Sequence, residues 1–167
     1  IEALLHEDNV SPSRILAVTF TNRAATHMRA ALTRTVGEPV ARQVHLGTFH
    51  ALCADILRSG AGAAGLPADL RVMDEDDADE VLGELGVHMP TKARYRLHNE
   101  AAAVDDDDVS VEAWHAGRWS RHPAAARYAQ TLTAQGAVDF AGLVYLARAL
   151  LLRDEEVRAP WTQRFDA

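Results

Sequence analysis

Apolar and polar positions divide the chain into two styles of pattern. Short apolar runs that pass into helical spacing fill the first third, and helical spacing dominates the rest. Residues 1–8 read as the tail of a helix, and residues 9–13 as a loop punctuated by Pro12. Residues 15–18 form a short continuous apolar run, which predicts a strand buried on both faces of a parallel sheet. Asn22 is the predicted N-cap of a helix on which Ala25, Met28, Leu32 and Val36 recur at helical spacing, with Gly37 as its stop. Residues 43–46 predict a second strand. Thr48 then caps a helix whose Phe49, Leu52, Cys53, Ile56 and Leu57 share one apolar face. A helix crossing between two strands implies that they pair in parallel.

Residues 59–67 are rich in small residues and breakers and predict a boundary. Beyond them residues 70–73 read as a brief extended piece. Asp74 opens a helix with acids in its first turn, favourable to the helix dipole, and with an apolar stripe of Val81, Leu82 and Leu85. Residues 90–135 read as several short helices, with 105–108 as an acidic loop. After Gly136 comes a strong helix carrying Phe140, Leu143, Val144, Ala147 and Leu151. The fold class is therefore α/β but mostly helical. Two strands alone bury little, so the sheet needs partners from elsewhere. The helical part beyond Leu66 is the unit expected to be more stable.

Composition narrows the setting. The apolar fraction of 48% suffices for a core, and no apolar stretch approaches the roughly 18 residues of a membrane span. The start is no signal peptide, and it lacks an initiator Met, so we expect a piece of a longer, cytoplasmic protein. The single cysteine, Cys53, excludes an intramolecular disulfide. A net charge of −7 argues against a strongly electrostatic nucleic-acid binder. The acids, however, concentrate after residue 73, whereas Arg14, Arg23, Arg29, Arg34, Arg42 and Arg58 roughly balance those before.

The chemistry lies in Thr19-Phe20-Thr21-Asn22 and Thr48-Phe49-His50. Both sit at the top of a predicted strand, where open α/β sheets bind ligands. Hydroxyls, an amide, an imidazole and helix-start N–H groups suit phosphate and sugar contacts, and the rings suit base stacking. The competing reading is two capped helices with Phe20 and Phe49 in the core. Asp74 to Asp77 fit a solvated helix start better than a metal cluster. The eight histidines lack zinc-site spacing, and Cys53 reads as an inert core thiol. Trp114 and Trp119 read as packing in the helical part rather than stacking on DNA. Arg148, Arg153, Arg158 and Arg164 read as a solvated face.

The two segments resemble motifs of the UvrD/Rep-type helicases of superfamily 1. The first is similar to Thr-Phe-Thr-Asn-Lys-Ala-Ala followed by Glu-Met, and the second to Gly-Thr-Phe-His followed by an aliphatic helix. Arg71-Val72-Met73-Asp74 resembles the stretch leading into that family's helical insertion, and Ala137-Val138-Asp139-Phe140 its return to the motor domain. Arg23 stands in place of Lys and His27 in place of Glu, while Ala141 and Gly142 replace two acids.

The resemblance implies part of a RecA-like motor, residues 1–66, an all-α helical insertion, 67–136, and return helices of the motor, 137–167. It implies an ATP-dependent DNA helicase moving 3′ to 5′ on single-stranded DNA, with Thr19, Phe20, Thr21, Asn22, Arg23, Thr48, Phe49 and His50 contacting the strand. ATP and magnesium would serve the intact parent, along with the remaining motor domains. This chain has no Gly-Lys-Thr phosphate loop and no metal-holding acid pair on a strand, so the piece alone is expected to be inactive. Two alternatives stand beside this reading. One is a non-enzymatic DNA-binding or adaptor module derived from such a motor, and the other is part of a nuclease-coupled recombination helicase.

Overall fold

A computed structural model describes residues 1–87, 96, 109–118, 121 and 123–166. The predicted acidic loop at 105–108, Trp119 and much of the predicted helical stretch from 90 onward lie outside the described residues. The chain divides into two compact units, Ile1–Leu52 with Ala159–Ala167, and Cys53–Arg158.

The first unit opens with α1 (Glu2–His6) and a 3-10 turn (Pro12–Arg14) leading into β1 (Leu16–Thr19). Then come α2 (Asn22–Val36), α3 (Glu38–Ala41) and β2 (His45–Thr48), followed by the first turn of α4 (Phe49–Ser59). β1 and β2 pair in parallel as expected, Leu16 opposite His45 and Thr19 opposite Thr48. Both strands run later than the apolar runs suggest, because the threonines extend the ladder. Thr21 and not Asn22 is the N-cap of α2: its Oγ1 accepts the Ala24 N–H at 3.1 Å, and Asn22 is already helical. Gly37 ends α2 at φ +81°, where its N–H donates to the Thr33 carbonyl.

Ile15, Leu32, Ala41 and Val44 form the core of this unit, with Leu4, Leu5, Val10 and Leu46 packed around it. The expectation of a strand buried on both faces fails for β1. Val18 is 41% exposed beside an apolar hollow of about 560 Å³ lined by Ile1, Ala17, Met28 and Leu32. Two strands cannot bury each other's faces, so a residue such as Val18 needs material beyond them. The end of α9 (Glu155–Arg164) also belongs to this unit. Trp161 and Phe165 lie against the His45 ring at centroid distances of 6.5 and 5.5 Å. The Arg14 guanidinium grips the Asp166 carboxylate through Nε and Nη2.

The second unit holds the rest of α4, β3 (Arg71–Val72), α5 (Glu75–Glu84), α6 (Val111–His115), α7 (Ala125–Ala134), β4 (Ala137–Val138) and α8 (Phe140–Arg153). β3 and β4 form a second short parallel pair, Arg71 opposite Ala137, which the hydropathy pattern did not reveal as a ladder. Asp74 caps α5, its Oδ1 accepting the Asp76 and Asp77 N–H groups at 3.0 Å. The segment 59–67 is no exposed linker: Gly60, Ala61, Ala64 and Leu66 are buried. Small residues there serve close packing, and the two compact units divide inside α4 and α9.

α8 is buried almost all round, including Leu143, Tyr145, Leu146, Ala149 and Leu150, so its core face is wider than one stripe. At its start the buried Asp139 accepts the Gly142 N–H and the Tyr128 hydroxyl, both at 2.7 Å. Burial first, and then the Asp139 charge and hydrogen bond, push the Tyr128 phenol far up, so it stays a donor. A Cβ on Gly142 would stand 2.5 Å from the Trp114 ring and 3.0 Å from the Asp139 carboxylate. A side chain at position 142 would thus meet the fully buried Trp114.

Candidate nucleic-acid interface

The two Thr-Phe dipeptides converge because the ladder register brings them together. Thr19 and Thr48 are partners at the C-terminal end of the parallel pair, so Phe20 and Phe49 leave the same end of the sheet. Each strand turns at once into a helix, so the N-termini of α2 and α4 open at that end. Phe20 is 91% exposed and Phe49 40% exposed. Within the first unit the core reading fails for Phe20 and, in large part, for Phe49. An apolar ring left in water at a helix start offers a stacking platform beside the backbone N–H groups that open the helix.

The polar side chains have definite local tasks. The Thr19 hydroxyl donates to the Thr21 carbonyl at 3.0 Å and shapes the turn between β1 and α2. Thr21 Oγ1 is engaged as a cap, and Thr48 Oγ1 likewise accepts the Ala51 N–H at 3.1 Å. Each capping oxygen still carries a hydroxyl proton that can be donated outward. Asn22 and Arg23 are exposed in the first turn of α2. His50 is half-buried, with its ring 6.5 Å from that of Phe49 in an edge-on arrangement. All eight sequence-predicted residues thus belong to two adjacent strand-to-helix turns. Together they offer rings, hydroxyls, an amide and one guanidinium, and no carboxylate among the eight opposes a phosphate.

Arg29 has a place here that the sequence pattern did not single out. Two helical turns beyond Asn22, its guanidinium donates to the Ala41 carbonyl at 3.1 Å and the Leu46 carbonyl at 2.7 Å. In sequence it is one arginine among many, and only the path of the chain shows what it holds.

The other candidates resolve toward packing. Trp114 is fully buried, and Cys53 is buried with its thiol pushed up to about 11 by desolvation. Among the described residues no three His, Cys, Asp or Glu side chains converge as a metal site. Arg153 and Arg158 are not a merely solvated face: Arg153 Nε donates to the Val109 carbonyl at 3.2 Å and Arg158 Nη1 to the Leu151 carbonyl at 3.3 Å. No helix among the described residues is long and apolar enough to cross a membrane.

Comparison with known proteins agrees with the motifs. The model of the UvrD/REP helicase N-terminal domain matches residues 1–167. The ATP-dependent DNA helicase Rep of Escherichia coli K12 is 31% identical over 158 residues, 90% of this chain and 24% of that protein. The ATP-dependent DNA helicase PcrA of Staphylococcus epidermidis is 40% identical over 85 residues, 51% of this chain and 12% of that protein. PcrA of Leuconostoc citreum is 45% identical over 74 residues, 44% of this chain and 10% of that protein. The chain thus spans between 10% and 24% of the length of these relatives. With a match along its whole length, the chain belongs to the UvrD/REP helicase N-terminal domain family.

Proposed function

We propose that this chain is the strand-gripping part of an ATP-dependent DNA helicase that moves 3′ to 5′ along single-stranded DNA. Phe20 and Phe49 stack on bases. Thr19, Thr21, Asn22, Arg23, Thr48 and His50 hold sugar and phosphate, helped by the amides that open α2 and α4. The observation that carries this reading is the in-register meeting of Thr19 and Thr48, with Phe20 projecting into solvent beside them. In this reading residues 1–66 are part of the motor domain, 67–136 its helical insertion and 137–167 the return to the motor.

The residues of this chain do not fit a nucleotide's phosphates. Lys92 is the one lysine and has no glycine beside it. ATP and magnesium are therefore assigned to other parts of the intact protein, and no hydrolytic step is derived on these residues. The partners are single-stranded DNA and the remaining motor domains of the same protein.

The test pairs two measurements on the intact protein and on the 167-residue chain. Fluorescence anisotropy with a labelled oligothymidylate should report binding by the intact protein. Phosphate release should rise with DNA in the intact protein and stay at background for the chain alone. DNA-stimulated ATP turnover by the isolated chain would sink the assignment of nucleotide chemistry elsewhere. An intact protein indifferent to single-stranded DNA would sink the gripping role.

A further inference from the structure

We infer that Arg29 is the positioning residue that couples the two strand-to-helix turns, holding β2 so that Thr48, Phe49 and His50 stand level with Thr19 and Phe20. The inference rests on the strand-gripping reading above. The peptide groups of a strand point alternately to its two sides. His45 faces β1, because its N–H donates to the Ile15 carbonyl at 3.0 Å. Leu46, the next residue, therefore turns its carbonyl to the opposite edge of β2, an edge that pairs with no strand among the described residues. Arg29 Nη2 occupies that carbonyl at 2.7 Å. Arg29 Nη1 takes the Ala41 carbonyl at 3.1 Å, at the end of α3.

Two carbonyls five residues apart are thus bridged by one planar fork. Ala41 and Val44 are buried core residues, so the connection between α3 and β2 is anchored on its inner side as well. Arg29 itself stands on α2, whose cap and first turn are the first motif. A rigid helix therefore begins in one turn and, about 10 Å along its axis, clamps the strand that ends in the other. Leu46 lies two residues before Thr48, so release of its carbonyl frees the end of β2 first. A lysine presents a point charge and cannot span both carbonyls, which gives a graded test.

The intact protein is compared with Arg29→Gln, Arg29→Lys and Leu32→Ala at a temperature where all are folded. Leu32 is buried in the same helix, so its truncation lowers the melting temperature without touching the clamp. Oligothymidylate binding should weaken about tenfold in Arg29→Gln and by an intermediate factor in Arg29→Lys, with Leu32→Ala at wild-type affinity. Arg29→Lys keeps the charge and one bond, so it carries the comparison if the glutamine variant does not fold. The salt dependence should keep its wild-type slope in every variant, because Arg29 acts through β2. A slope reduced by about 0.7 in Arg29→Gln would overturn the inference in favour of a direct phosphate contact. Equal weakening by Leu32→Ala, or wild-type binding by both Arg29 variants while Phe20→Ala binds weakly, would overturn it too. Wild-type binding by Phe20→Ala and Phe49→Ala together would instead remove the gripping reading on which it rests.

Discussion

Thr19 and Thr48 are register partners in the β1–β2 ladder, and each is followed by a phenylalanine that leaves the sheet. A slip of one residue would turn one of the two phenylalanines toward the opposite side. The pairing thus makes two separate sequence motifs into one surface. Its geometry is held by two local caps, at Thr21 and Thr48, and by the long-range Arg29 clamp on Leu46.

Phe20→Ala in the intact protein is expected to weaken single-strand binding by about 1–3 kcal/mol through lost stacking. Because the ring is 91% exposed, the melting temperature should hardly change. His50→Ala, which removes one polar contact, should cost about 0.5–1.5 kcal/mol. Anisotropy and thermal melting on the same samples separate binding from folding. A sharp drop in melting temperature for Phe20→Ala would argue that the ring is a packing residue after all.

Asp139 ties α7 to the start of α8 through Tyr128 and Gly142. Asp139→Ala should lose about 2–4 kcal/mol of stability, since it removes a cap and strands a buried hydroxyl. Asp139→Asn should lose much less, because its amide oxygen still caps the helix and the Tyr128 hydroxyl can turn to accept from the amide. Denaturant unfolding would rank them, and equal losses in the two variants would show that charge and not capping matters here.

Gly142→Ala should destabilise by about 1–3 kcal/mol, because its methyl group would overlap the Trp114 ring at 2.5 Å. Fluorescence followed through urea unfolding reads this in the 167-residue chain with Trp119 and Trp161 both replaced by Phe, so that Trp114 is the one indole that reports. A Gly142→Ala protein as stable as wild type, with an unchanged emission maximum, would mean that the indole has room to move.

The Arg14–Asp166 pair gives a pH signature. The Arg14 hydrogen bond holds the Asp166 carboxyl below its usual range, so the folded state binds its proton less readily than the unfolded chain. The contribution is therefore complete above the usual carboxylate range and is lost as the pH falls through the lowered value. Both side chains are exposed, so the effect is small. Wild type should lose slightly more melting temperature than Asp166→Asn between about pH 5 and pH 2. Parallel curves for the two proteins would show that the pair adds nothing.

Cys53 is buried and its thiol is pushed up to about 11, so it stays protonated at neutral pH. Ellman's reagent should leave it unmodified in the folded protein and react fully in denaturant. Rapid reaction under native conditions would point to opening of α4 near the thiol.

The strand-then-helix order at both motifs, the stop at Gly37, the cap at Thr48 and the opening of α5 at Asp74 were legible along the chain. These depend on neighbours a few residues away, which a linear pattern contains. The sequence also carried the two motifs whose likeness identified the family. The folded chain settled what depends on distant residues. It paired Arg71 with Ala137, a two-residue ladder too short to leave a hydropathy period. It buried the small residues of 59–67, since composition alone cannot tell a flexible linker from a close-packed turn. It left Phe20 in water, although an aromatic ring after an apolar strand reads equally well as core. And it put Arg29 on the carbonyls of Ala41 and Leu46, because a guanidinium's partner is set by where the chain returns in space and not by the residues beside it.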